Sequence, residues 1–273
     1  MGLSVLMSVY NKEKPENLMN AIESIIDQTY KCDEIILIKD GKLGQELEDV
    51  VDYYQSRLSN LIIYQFDENV MLGLALKKGV ELCSCDVIAR MDTDDIAMEN
   101  RFEIQYKYLS EHPEVSAVGG FIEEFDENGD LRIKEVPIRH DEIVRYSKMR
   151  NPINHMTVMF RKSHVISSGN YKHFPYLEDY YLWCRMMAKG YRFCNIPSVL
   201  VKARAGKKMY RRRGGFNCFL AHRKLRIAQY QLKLINYFEY CIAVTGSFIV
   251  TMSPDLVREV LYKGFLRKRI NFK

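Results

Sequence analysis

Apolar and polar positions along the first half of the chain alternate between two rhythms. Short apolar runs at Leu3 to Val9, Glu34 to Lys39, Leu61 to Gln65, Asp86 to Met91 and Val115 to Phe121 predict strands. Between them, Pro15 to Asp27, Gln45 to Leu58, Leu72 to Leu82 and Glu99 to Glu111 carry apolar residues at helical spacing. The first of these sets Leu18, Ala21, Ile22, Ile25 and Ile26 on one face behind Pro15, a residue suited to a first helical turn. Strand and helix in alternation predict an α/β fold with a mainly parallel sheet. The second half is less regular: His155 to Arg161 reads as a strand, Glu178 to Lys189 as a helix stopped by Gly190, Tyr191 to Arg204 as extended, and Phe216 onward as mostly helical. The uncharged run from Tyr240 to Pro254 is 15 residues long, short of the roughly 20 that a spanning helix needs, so a buried or interfacial helix is expected.

In such a sheet, ligands bind where strands end at their carboxyl edge. Ser8-Val9-Tyr10-Asn11 follows the first strand and Asp40-Gly41 the second, an aromatic face and a carboxylate suited to a flat polar base; either pair alone is ordinary turn chemistry. The fourth strand ends in Ala89-Arg90-Met91-Asp92-Thr93-Asp94-Asp95. Three carboxylates in four residues repel one another unless a cation neutralises them, and hard oxygen ligands select Mg²⁺ or Mn²⁺. An ion there can neutralise the charge of a departing nucleotide diphosphate. Asp residues are also favoured at helix starts, which is the structural alternative.

Charge changes the picture further along. From Lys202 to Lys273 there are 17 Lys/Arg against 3 acidic residues, a surplus of 14, so residues 1 to 201 carry −9 under a whole-chain charge of +5. A basic tail on an acidic body is a candidate surface for anionic lipid, phosphate or nucleic acid. No zinc spacing or RNA-recognition signature accompanies it, and nucleic acid is not an expected partner. No Gly-x-Gly-x-x-Gly or Walker-type sequence follows a strand, which argues against dinucleotide-dependent oxidoreductases and P-loop NTPases. The seven cysteines lack paired Cys-x-x-Cys spacing and fit a reducing compartment. The first strand begins at Leu3, leaving no room for a secretory signal, and Leu6 stands where myristoylation needs Ser or Thr.

The succession Ser8-Val9-Tyr10-Asn11, Asp40-Gly41, Leu72-Gly73-Leu74, Ile88 to Asp95 and Arg101-Phe102 resembles glycosyltransferase family 2, in particular bacterial O-antigen and capsular polysaccharide transferases. The resemblance implies the GT-A fold, a Rossmann-like mixed sheet flanked by helices, over residues 1 to 215. Within it, 1 to 125 forms the nucleotide-sugar half and 126 to 215 the acceptor half, with a helical basic segment over 216 to 273. It further implies Tyr10, Asn11 and Asp40 as contacts of the base, Asp92 on the ribose side and Asp94 as ligand of Mn²⁺ or Mg²⁺. Lys39 departs from the pattern, standing where a second acidic residue is common. Attack by a sugar hydroxyl on an anomeric carbon needs a proton acceptor, and the resemblance assigns it to Asp179, with Glu178 contacting the acceptor. His155 resembles a histidine near donor phosphate or acceptor. Arg211 and Arg212, in Lys207-Lys208-Met209-Tyr210-Arg211-Arg212-Arg213, could close over the diphosphate of the donor, or the run could meet lipid head groups.

The processive element Gln-x-x-Arg-Trp is absent around the single tryptophan, Trp183, so one sugar per encounter is expected. The implied reaction is inverting transfer of a hexose from UDP-Glc or UDP-Gal to an undecaprenyl-diphosphate-linked sugar. The enzyme is expected on the cytoplasmic face of the cell membrane as a peripheral protein, against an anionic surface. A sugar nucleotidyltransferase and a catalytically silent nucleotide-sugar-binding protein are the alternatives.

Overall fold

The computed structural model describes residues 2–125, 131–204, 214–255 and 257–258, and the backbone of 268–269. Its centre is a mixed sheet. Strands β1 (Leu3–Val9), β2 (Glu34–Lys39), β3 (Leu61–Gln65) and β4 (Val87–Asp92) run parallel in the order β3-β2-β1-β4. Beyond β4 lies the short antiparallel β8 (Met159–Arg161), then β6 (Val115–Phe125). The far end of β6 pairs with β7 (Leu131–Lys134), which pairs with β10 (Lys268–Arg269). The long β9 (Arg192–Arg204) runs parallel to β6 and pairs with β5 (Ile96–Ala97).

Period-two alternation in β1 sends Val5, Met7 and Val9 to one face and Leu6 to the other, and both faces are covered. On the first face lie α1 (Pro15–Ile26), α2 (Gln45–Gln55) and α4 (Arg101–Glu111); Leu18, Ala21, Ile22 and Ile25 of α1 are buried at the spacing read from the sequence. On the second lie α3 (Leu72–Leu82) and α7 (Glu178–Ala188), the latter through Leu182, Trp183 and Met186. Gly79 lets α3 approach β1, since a Cβ there would meet the Leu6 side chain.

The expected strand from His155 to Arg161 is corrected. Residues His155–Thr157 form a 3₁₀ turn, and only Met159–Arg161 pair as a strand. Thr157 both donates its N–H to Asn154 O (2.9 Å) and turns its hydroxyl onto the same carbonyl (2.7 Å), a local closure that competes with strand pairing. Two short helices, α5 (His140–Ser147) and α6 (Lys162–Ser167), fall where no helix was expected, and β6 runs four residues past Phe121. After Gly215, whose φ of 92° suits glycine, α8 (Phe216–Gln231) and α9 (Tyr237–Met252) form a helical hairpin. The turn between them is closed by a reciprocal capping box of Asn236 and Glu239. Among the described residues no helix is long and apolar enough to cross a membrane.

Gly119 of β6 lies against both β9 and the 3₁₀ turn. A methyl there would collide with Asn195 Oδ1 and lie 2.8 Å from Ile153 Cγ2. Asn195 has little room to move, because its amide holds the carbonyls of Pro137 (2.6 Å) and Pro152 (3.1 Å). Gly119→Ala should therefore lower stability by about 1–3 kcal/mol, read as a lower urea midpoint at unchanged slope. An unchanged midpoint would show that the contact relaxes freely.

Candidate active site

Because β1 to β4 are parallel, the segments after them share one edge of the sheet. Tyr10 is 39% exposed there, and Asn11 lies beside it, also exposed. Asp40 is buried, and its carboxylate holds the segment after β3: Oδ1 accepts from Val70 N (2.7 Å) and Oδ2 from Asn69 Nδ2 (3.0 Å). Burial raises its pKa, opposed by the backbone N–H groups of Val70 and Met71. Gly41 follows at a φ of 91°, with the backbone of Asn69 2.9 Å from where a Cβ would stand. Lys39 pairs with Glu48 of α2 at 2.5 Å, so its charge is neutralised within the fold.

Beyond β4 lie Asp92, Asp94 and Asp95. One ligand oxygen from each falls within 4.8 Å of the others. Asp95 is 3% exposed; its Oδ1 accepts from Arg204 N (2.9 Å), and its Oδ2 is buried without a hydrogen-bond partner. Burial, then Asp92 and Glu13, pushes Asp94 up to about 7, and Asp95 is raised for similar reasons. An orphaned buried carboxylate oxygen inside a hard, acidic donor set fits a divalent cation such as Mn²⁺ or Mg²⁺. Beneath the cluster, Arg90 is fully buried and makes a two-pronged pair with Asp92. Both side chains leave β4 on the same face, two residues apart.

The Glu178-Asp179 pair opens α7 within reach of the same guanidinium, which favours the charged form of both carboxylates as it does of Asp94 and Asp95. Burial, then Asp179, pushes Glu178 up to about 7. Asp179 is 7% exposed and raised by burial; its Oδ2 accepts from Asn151 Nδ2 at 2.5 Å. His155 packs, half-buried, between Tyr171 and Trp183. Its Nε2 bonds the Tyr171 hydroxyl (2.9 Å), Nδ1 lies 4.0 Å from Asp179 Oδ2, and burial with Arg90 nearby holds it well below the usual histidine range. A small cleft beside Glu178 is lined by Met71, Gly73, His173 and Tyr176. Met71 and Tyr176 both stand at φ 71°, a strained backbone for non-glycine residues that concentrates at ligand sites. Arg211 and Arg212 lie outside the described residues.

The family model described as Glycosyl transferase family 2 matches residues 4–166. The chain belongs to glycosyltransferase family 2. An amylovoran biosynthesis glycosyltransferase of Erwinia amylovora is 46% identical over 260 residues, covering 95% of this chain and 97% of that protein. A second relative, from Escherichia coli, is named UDP-Gal:alpha-D-GlcNAc-diphosphoundecaprenol beta-1,3-galactosyltransferase; it is 36% identical over 267 residues, 97% of this chain and 96% of its own length. The structure of S. aureus TarS 1–349 in complex with UDP-GlcNAc aligns with a TM-score of 0.68 at 14% identity, covering 97% of this chain and 76% of that one. The fold is thus GT-A-like.

Three residues of this glycosyltransferase site carried no role in the sequence. Arg90 could have been found, because a charge at the centre of an apolar strand, in step with Asp92, needs a reason. Asn151 had no such signal; its contact with Asp179 spans 28 positions. Glu13 bonds Thr93 Oγ1 (3.3 Å) at the rim of the acid cluster, a contact that exists only because β1 pairs with β4.

Asp94 and Glu178 titrate from 3.8 and 4.5 in the open chain to about 7 in the fold. Between those limits the native state binds the extra protons, so stability from these groups is complete at low pH and is lost as pH rises toward about 7. With chelator present, the melting temperature of the double variant Asp94→Asn/Glu178→Gln should decline less over that window than that of the wild type. Parallel curves would refute the shifts.

Proposed function

We propose that this glycosyltransferase moves one hexosyl unit from UDP-Glc or UDP-Gal to the sugar of an undecaprenyl-diphosphate-linked acceptor, with inversion, during O-antigen or capsule synthesis. The observation that carries the reading is the meeting of an acid cluster and a buried carboxylate pair around Arg90 at one edge of the sheet. Support for donor and acceptor comes from the Escherichia coli relative, whose name states both. In this reading Tyr10 offers its exposed ring to the base of the donor, with Asn11 and Asp40 beside it, and Asp92 faces the ribose. Asp94, with Asp92 and Asp95 at hand, would hold Mn²⁺ or Mg²⁺, which supplies counter-charge for the diphosphate.

Asp179 takes the proton of the acceptor hydroxyl as its oxygen bonds to the anomeric carbon, while the bond from that carbon to the diphosphate oxygen breaks and UDP leaves with the electron pair. Burial raises the basicity of Asp179, and Asn151 keeps it in the charged form it needs. Glu178 and His155 border the acceptor, and Arg211 and Arg212 supply positive charge for the donor phosphates. The nucleotide half ends near residue 125, the acceptor half near 215, and the hairpin beyond serves the membrane. A one-step displacement produces the anomer opposite to that of the donor.

Asp179→Asn should lower kcat roughly 10²-fold or more while UDP binding by calorimetry stays near wild type. Asp94→Ala, or chelation of the wild type, should abolish turnover, and full activity in EDTA would refute the metal role. A collapse of nucleotide affinity in Asp179→Asn at unchanged saturated rate would make Asp179 a binding residue instead.

The hairpin supports an acceptor held at a lipid surface. Phe238 is 79% exposed, and Phe216, Tyr237, Ile242 and Ile249 are also exposed. They belong to the segment whose basic surplus can add about 1 kcal/mol per residue near anionic lipid, an attraction weakened by salt. The protein should sediment with anionic liposomes at low salt and be released at high salt or by deletion after Leu234. Remaining in the supernatant in both conditions would remove the membrane from the proposal and leave the transferase reading intact.

A further inference from the structure

Helix α8 carries a charged side chain into the interior. Arg226 is 2% exposed and has no carboxylate partner among the described residues. Its guanidinium donates to Lys148 O (3.1 Å), Met149 O (2.7 Å), Gln229 Oε1 (2.7 Å) and the Tyr180 hydroxyl (3.1 Å). Tyr180 in turn donates to Ser147 O (2.5 Å), which also accepts from Gln229 Nε2 (2.7 Å). Three successive carbonyls where α5 ends, the groups a helix leaves without partners, are therefore held by α7 and α8.

A bare helix cap would need only the carbonyls. Arg226 grips two sides of another contact. On one side it holds Lys148 and Met149, and Asn151 follows two residues later. On the other it holds Tyr180, the neighbour of Asp179. Between them lies the 2.5 Å bond from Asn151 Nδ2 to Asp179 Oδ2. A guanidinium that touches neither of those two side chains thus bonds both segments that carry them. A buried cation among neutral acceptors costs stability relative to an apolar side chain, so a geometric role accounts for what packing does not.

We propose that Arg226 is a positioning residue for Asp179, acting through the 147–151 turn and Asn151; this rests on the reading of Asp179 as the proton acceptor. The C-terminal hairpin then belongs to the active site, although it contributes no reacting group. The other groups around Asp179 are Glu178 on its own helix, Arg90 from β4, Lys134 from β7, His155 from the 3₁₀ turn, Cys184 one turn on, and Tyr171, none of which bonds Arg226.

The test compares the full-length wild type with Arg226→Met, Arg226→Lys, Asn151→Ala and the double variant Asn151→Ala/Arg226→Met. Readouts are kcat, donor KM, the pH profile of kcat and thermal melting. In Arg226→Met, kcat should fall roughly 10- to 100-fold, with donor KM within about twofold of wild type. Its acidic limb should move to higher pH, because losing the amide donor favours the protonated carboxyl. Arg226→Lys should recover part of the rate, and the double variant should be no slower than the slower single. Wild-type kcat and limb in Arg226→Met, or multiplicative losses in the double variant, would overturn the role. If Arg226→Met does not fold, the same limb shift is required of Arg226→Lys and Asn151→Ala, and its absence overturns the proposal. An inactive wild type would overturn the transferase reading along with it; an active wild type with insensitive variants overturns the positioning role alone.

Discussion

One buried guanidinium makes this site possible. Five carboxylates, Asp92, Asp94, Asp95, Glu178 and Asp179, approach from two elements far apart in the chain, and burial opposes the charge of most of them. Without a cation inside the fold, that arrangement would favour protonation or separation of the elements. Arg90 is the cation the chain itself supplies: it makes a two-pronged pair with Asp92, and its charge favours the ionised form of Asp94, Asp95, Glu178 and Asp179. Its charge has a second effect: it opposes protonation of His155 and adds to the burial that lowers Arg101 to about 9. Arg101 answers structurally, donating to the Arg90 carbonyl (2.7 Å) and so bracing the same strand from α4.

The fold supplies the meeting place. Parallel pairing of β2, β1 and β4 brings three strand ends to one edge, and each end contributes a different polar group. The side that carries Asp179 is assembled otherwise, by turns. The 3₁₀ turn carries His155, the turn after α5 carries Asn151, and the loop into α7 passes through Tyr176 at a positive φ. Regular structure therefore holds the acid cluster, while the surroundings of Asp179 depend on hydrogen bonds between irregular segments.

That division also marks what the sequence discloses. The first four strands and their helices are legible because amphipathic periodicity is a local property; β1, β2, β3 and α3 have the expected limits, and β4 is displaced by a single residue. The acid cluster is legible because its members are adjacent. The Asn151 bond to Asp179, the Arg226 network and the Thr93 bond to Glu13 join positions 28, 46 and 80 apart, and nothing in the local pattern of either partner announces them. The segment from His155 to Arg161 misleads for a related reason: its apolar residues look like a strand, yet Thr157 has a nearby carbonyl on which its hydroxyl can close a turn. Lys39, an apparent departure from the family pattern, finds its partner in Glu48, nine residues on.

Asp95 belongs to the acid cluster and also accepts the N–H of Arg204, the last residue of β9. The carboxyl end of β9 is therefore fixed to the cluster itself, and a shift in Asp95 is passed on as a shift in the end of that strand. An insertion within β9 would disturb that tie, because the strand is also held to β6 along its course and to β5 near its end.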